Sequence, residues 1–371
     1  MRNDSKSSLL FQDYCYKPDW ASARSRWDAY WAMEATDRPC ISVRAPRSEV
    51  EKIQLPELKR VEEKWMNPDY QLAKALKPLK ENYLGGETVP SVYVCMAATT
   101  TGCDGHLVFY ENCIDIIPSM TSIEQPVAWH PGPQDPWRRK VDAILNRFLD
   151  EAPGRFIVTC PAQYPNIDLL YMLRGNADML LDFALHPEEC RKRLVEMREA
   201  SEEQRHHFRT LVDSRQGDIG YPCGGVWCRQ YAMESQADCA ANISPEMFTE
   251  LFVPELDFLG ERCERIWFHT CGYKQHLESC LSRPYMRVIQ YAPNAKEPAN
   301  GPAHLDFYRR VQQAGRCLDL SVPAANVEFL VRHLRPEGLH IAVNVETIVK
   351  AEELLENAVK WCGSDIHRSL P

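Results

Sequence analysis

Short runs of β-branched and other apolar residues recur along the chain. Between them lie longer stretches in which apolar residues return every three or four positions. The runs are 40–43 (CISV), 89–96 (VPSVYVCM), 156–160 (FIVTC), 225–231 (GVWCRQY), 265–269 (RIWFH), 286–291 (MRVIQY), 317–322 (CLDLSV) and 339–343 (LHIAV). Each reads as a strand. The last four follow one another at intervals of roughly 20–30 residues, each preceded by a helix-like segment, which is the spacing of βα units. Eight strands with interleaved helices predict a (β/α)8 TIM barrel of the α/β class. A doubly wound open sheet is the alternative, but no Gly-rich phosphate loop follows any strand.

The helices carry their own end signals. Ser244 is a candidate N-cap ahead of Pro245, and Met247, Leu251 and Pro254 follow on one stripe. The segment 347–361 puts Ile348, Ala351, Leu355 and Ala358 on one face, with Gly363 near its end. Near the N-terminus, Trp20, Trp27, Tyr30 and Trp31 share a helical face, which suits core or a barrel-capping surface. Neither proline-rich loop, 126–136 or 293–302, marks a clean boundary. The expected organisation is one domain over 1–371, with an N-terminal helical extension at 1–85 and the main barrel at 86–371.

Composition narrows the function classes. The 371 residues carry 43 Lys and Arg against 52 Asp and Glu, a net charge of −9. A dedicated nucleic-acid binder needs the opposite balance. No run approaches the roughly 20 apolar residues of a membrane-spanning helix, and the first residues are polar. The expectation is a cytoplasmic protein acting on a small molecule, with neither nucleic acid nor membrane as partner. An odd count of 15 cysteines without dense even spacing points to reduced thiols.

The densest chemistry lies at His269-Thr270-Cys271-Gly272, where an apolar strand ends. Side chains two residues apart on an extended backbone point the same way, so an imidazole and a thiolate here can reach one Zn2+. Gly272 would let the chain turn tightly afterwards. Further donors are not marked by any CxxC or HExxH spacing. Asp238 and Glu234 could handle a proton, ligate a metal or orient a substrate, and Glu234 also suits a solvated loop. Gln290 and Tyr291 end another strand and could hydrogen-bond a ligand. Asp168 and Arg174 read as a structural pair near a βα loop.

These segments resemble the uroporphyrinogen decarboxylase-like superfamily over most of the chain. The resemblance rests on 27–46 (a WDAYW helix, then DRPCISVRAP), Leu173-Arg174-Gly175 before a Pro187-Glu188 helix, and Gln236-Ala237-Asp238 before Ile243-Ser244-Pro245-Glu246-Met247-Phe248. It continues through His269-Thr270-Cys271-Gly272, Val288-Ile289-Gln290-Tyr291 and Ala314-Gly315-Arg316 to the closing helix with Ala351-Glu352-Glu353-Leu354-Leu355. It implies a (β/α)8 barrel with its site at the strand C-terminal ends, and often a homodimer. It is nearer the zinc- and corrinoid-dependent methyltransferases than true uroporphyrinogen decarboxylase, whose Arg-rich N-terminal motif is replaced here by Cys40-Ile41-Ser42-Val43. In such methyltransferases a His-x-Cys pair and a later Cys hold zinc, and the acceptor thiolate takes a methyl group from a corrinoid protein. His269 and Cys271 match the first two ligands. The stretch expected to hold the third reads Val343-Asn344-Val345-Glu346, which leaves Cys228, Cys239, Glu234 and Glu346 as candidates. Asp238, Gln290 and Tyr291 are then expected to shape the catalytic pocket. The alternative is a metal-free decarboxylase or lyase on the same barrel, using Asp238 and a basic pocket from residues such as Arg44, Arg174 and Arg229.

Overall fold

The computed structural model describes residues 14–94, 100–103, 107–161, 166–217 and 220–363. A seven-stranded sheet organises it. Its strands, numbered in chain order, are β1 (Cys40–Pro46), β2 (Asn82–Gly86), β3 (Met233–Gln236), β4 (Ile266–Cys271), β5 (Met286–Ala292), β6 (Cys317–Ser321) and β7 (Leu339–Asn344). They lie in the order β2-β1-β7-β6-β5-β4-β3. All neighbours are parallel except β2, which runs antiparallel to β1.

Alternation along these strands separates apolar from polar side chains. Ile41, Val43, Ile266, Phe268, Ile289, Leu318, Leu320, Leu339 and Ile341 belong to one large core cluster, shared with residues of the covering helices Leu305–Gln313, Ala324–His333 and Ile348–Cys362. The positions between them carry Ser42, Arg44, His269, Cys271, Gln290, Asp319 and His340. This polar inner face is where chemistry can take place. Among the helices that cover the other face, Ile348–Cys362 starts with a side-chain cap: the Thr347 hydroxyl accepts from the Lys350 N–H at 3.2 Å.

The N-terminal ends of the strands are closed off by the helix Trp20–Ala32. Trp20, Trp27 and Tyr30 are buried there with Cys40, Cys317, Val288, Trp227 and Cys228. Their polar handles are satisfied: Trp27 Nε1 donates to the Glu87 carbonyl, Trp31 Nε1 to that of Trp227, and Tyr30 Oη to that of Leu318. The aromatic face is thus a cap over the sheet floor.

The expected closed ring of eight strands is not what the hydrogen bonds form. Among the described residues the sheet is open, with β2 and β3 at its edges. The remaining parallel pair, Ser91–Val92 with Ile157–Val158, stands apart from it. The physical reasons lie at the two seams. The free edge of β1 is taken by β2, which pairs Ser42 with Gly86 and Val43 with Gly85. On the other side, the Gln216 amide accepts from Val158 N at 3.0 Å and donates to Val158 O at 2.9 Å, standing in for a neighbouring strand. Part of the predicted 89–96 strand lies outside the described residues.

One further expectation shifts. The run 225–231 supplies not a sheet strand but half of a hairpin, Tyr221–Cys223 with Val226–Cys228. The sheet strand is the polar segment β3, read from sequence as a connecting loop. β1 lies inside the sheet, between β2 and β7. The described cysteines are free thiols, and no described helix is long and apolar enough to cross a membrane.

Candidate metal centre

Strand β4 delivers His269 and Cys271 to the same face, as their spacing requires. Cys271 is exposed and the His269 side chain is 21% exposed, so both open onto the strand ends. The chain must then turn away at once. Gly272 does so with φ +70°, and a Cβ there would come within 2.7 Å of Asn294 Cβ and 2.9 Å of its backbone N. Only glycine fits this corner without strain.

The third group is Asp238, at the start of a 3-10 turn, Asp238–Asn242, that follows β3. Strand register explains why it arrives here. Gln236 pairs with His269, so the residues just beyond β3 reach the level of Cys271. One donor atom each from Asp238, His269 and Cys271 lie within 4.8 Å of one another. His269 Nε2 is 3.8 Å from Asp238 Oδ1.

Neighbouring residues hold these donors. The Gln290 side-chain oxygen meets His269 Nδ1. An amide oxygen only accepts, so Nδ1 carries the proton and Nε2 presents its lone pair toward Asp238. Asp168 is buried behind the turn and accepts from the backbone N–H groups of Asp238, at 2.9 Å, and Cys239, at 3.0 Å. His276 braces the same turn from below, with Nε2 2.8 Å from the Ala240 carbonyl and its ring stacked on Phe248 at 4.2 Å.

The electrostatics suit a cation. Burial pushes the Asp238 carboxyl up, the negative charge of Asp168 adds to this, and His269 offsets it. The Cys271 thiol is raised by partial desolvation at the strand end and then by the negative charges of Asp238 and Asp168. Two anionic donors therefore hinder each other's ionisation, and a positive ion between them would relieve both.

The other sequence candidates are placed elsewhere. Tyr291 follows Gln290 and so faces the opposite side of β5, fully buried against His304 and Phe307, with its hydroxyl donating to Glu297 at 3.0 Å. Cys228 is buried in the floor cluster at the opposite end of the sheet. Cys239 sits beside Asp238 but is buried and turned toward Asp168, which raises its thiol pKa. Glu346 is exposed and pairs with Lys350 at 3.0 Å. Glu234 lies on β3, where its carboxylate accepts from the Gly224 N–H at the hairpin tip. Burial raises it to about 7.

The basic residues also separate. Arg174 does not pair with Asp168 but with Asp182 and Asp178, at 2.7 and 2.8 Å. Arg229 pairs with Asp28. Arg44 shares the inner face of β1 with Ser42 and is exposed there. Sequence reasoning missed the anchoring by Asp168, for which the only sequence signal was an acidic residue opening a helix.

In overall fold the chain is similar to a methyltransferase from Methanosarcina mazei, with a TM-score of 0.55 over 91% of this chain and 98% of that one. The two sequences are 11% identical, so the likeness is one of fold. No protein-family model matches the sequence, and no curated protein sequence matches it either.

Proposed function

We propose that this chain is a zinc-dependent methyltransferase that moves a methyl group between a corrinoid protein, or a small methyl donor, and a thiol or similar acceptor. The observation that carries this reading is the meeting of Asp238, His269 and Cys271 at the C-terminal end of the sheet. A fold shared with a methyltransferase supports it.

The residues fit a zinc ion. Nitrogen, sulfur and carboxylate oxygen are its ordinary donors, and three protein ligands leave a fourth position for substrate. Asp238 takes the role that the sequence left open for a third ligand. A bound Zn2+ supplies a lowered thiol pKa, so that the attacking thiolate exists at neutral pH. Gln290 keeps His269 in the tautomer whose Nε2 faces the donors. Asp168 fixes the turn that presents Asp238. Trp267, one step deeper on β4, walls the inner face beneath them with its indole N–H tied to Asp319 at 2.8 Å.

A second reading, a metal-free decarboxylase or lyase acting on a carboxylated small molecule, is favoured by Arg44. No side-chain hydrogen bond or ion pair joins this guanidinium to another described residue, so a substrate carboxylate would find it available.

The test is a methyl-transfer assay. Zinc-loaded protein mixed with methylcobalamin and a small thiol should consume the methyl–cobalt absorbance and yield the S-methyl product, while Cys271→Ala should not. Folded, zinc-loaded protein that transfers no methyl group to any thiol tried would contradict the methyltransferase reading.

A further inference from the structure

Three adjacent strands of the sheet, β1, β7 and β6, each contribute one polar side chain to a single chain of hydrogen bonds. Ser42 Oγ lies 2.9 Å from His340 Nε2, and His340 Nδ1 lies 2.7 Å from Asp319 Oδ1. Asp319 Oδ2 in turn accepts from Trp267 Nε1 at 2.8 Å. His340 is 0% exposed, Asp319 6% and Ser42 8%.

The partners fix where the protons sit. An indole N–H only donates, so the Asp319 carboxylate acts as an acceptor there, and its other oxygen receives the N–H of His340 Nδ1. His340 Nε2 is then left as a bare lone pair facing the Ser42 hydroxyl. Trp27 packs over the imidazole, with ring centroids 4.8 Å apart, and holds it in that orientation. This tautomer is assigned from the hydrogen-bond network. Structural ties between strands need only a donor and an acceptor. This arrangement also orders them as nucleophile, base and orienting carboxylate, which is the logic of an activated serine.

The hydroxyl stands on the inner face of the sheet, toward the floor that Trp27 covers. Ser42 and Arg44 are two residues apart on β1 and share its inner face, with Arg44 nearer the strand end. The same face carries His269 on β4. In register, Asp319 pairs with Gln290 and Gln290 with His269, so Asp319 stands two strands from the proposed metal centre and Ser42 four.

We infer that Ser42 is a nucleophile, activated by His340 and oriented through Asp319, that gives this chain a metal-independent acyl-transfer activity toward small esters. Ser42 Oγ attacks the carbonyl carbon while its proton passes to His340 Nε2. The carbon–oxygen bond to the alcohol breaks, and the leaving alkoxide takes that proton. Water then attacks the acyl-serine, gives a proton to His340 Nε2, and the carboxylic acid departs as the proton returns to Ser42 Oγ. The sum is ester plus water giving acid plus alcohol. The Arg44 guanidinium is the positive charge on this face that a developing oxyanion would meet.

The test uses diisopropyl fluorophosphate, with which a nucleophilic serine forms an O–P bond as fluoride leaves. The full-length protein is treated with and without prior exposure to a chelator, and the labelled peptide is identified by mass spectrometry. Labelling should fall on Ser42, persist after chelation, and disappear in Ser42→Ala, which removes only one oxygen. In His340→Gln, shown to be folded by circular dichroism, it should slow by about 100-fold or more. Hydrolysis of p-nitrophenyl acetate should follow the same order. Wild-type protein that is folded yet unlabelled at Ser42, or labelled at Ser42 at a rate that His340→Gln leaves unchanged, would overturn the inference. Because chelated protein is included, loss of this activity and failure of the zinc reading are separate outcomes.

Discussion

His269 has two ring nitrogens, and the structure gives them different partners. One meets Gln290, and the other is left toward Asp238. Residues that orient a metal-bound imidazole typically contribute 10–100-fold to metal affinity. Gln290→Leu should therefore weaken zinc binding by about that factor in competition with a chromophoric chelator. Unchanged affinity would remove Gln290 from the site. At this scale the sequence was partly legible. His269 and Cys271 announce themselves because an i, i+2 pair at a strand end must share a face. The same rule separates Gln290 from Tyr291, since neighbours on a strand cannot share one. Asp238 was legible as a carboxylate with several uses, metal ligation among them, but not as the partner of His269 and Cys271, because only the pairing of β3 with β4 brings it to Cys271.

At the scale of elements, β3 and the hairpin beside it were the hardest to read. The strand Met233–Gln236 carries a carboxyl, a hydroxyl and an amide, so it lacks the apolar run that marks its neighbours. It needs none on its inner side, because that face lines polar chemistry. The hairpin drew the strand prediction instead, since Val226 and Trp227 are buried in the floor. Glu234 joins the two by accepting from the Gly224 N–H. Burial pushes its carboxyl up to about 7, above its value in the unfolded chain. The neutral form's contribution to stability is then fully present below the unfolded value and is lost as the pH rises through about 7. Glu234→Gln keeps an acceptor oxygen and removes the titration. In urea unfolding, the stability of this variant relative to wild type should rise between about pH 4 and pH 8, by on the order of 1–3 kcal/mol. A difference that stays flat with pH would show that Glu234 is not held in the buried state described.

For the molecule as a whole, βα spacing gave the parallel sheet and its helical cover, because strands buried on one face by helices must be rich in β-branched residues. The open ring was not legible. Its seams depend on β2 turning back antiparallel along β1 and on a single amide, Gln216, occupying the edge of Val158. Neither leaves a periodic trace. What the whole arrangement achieves is to gather, at one end of the sheet, three donors drawn from β4 and from the turn after β3. Elemental analysis of the full-length protein, purified without added metal and again after zinc reconstitution, tests this most directly. The account predicts close to one zinc per chain in the wild type, and less than about 0.2 in His269→Ala and in Asp238→Ala. Wild-type protein that holds less than about 0.2 zinc per chain, before and after reconstitution, would contradict it.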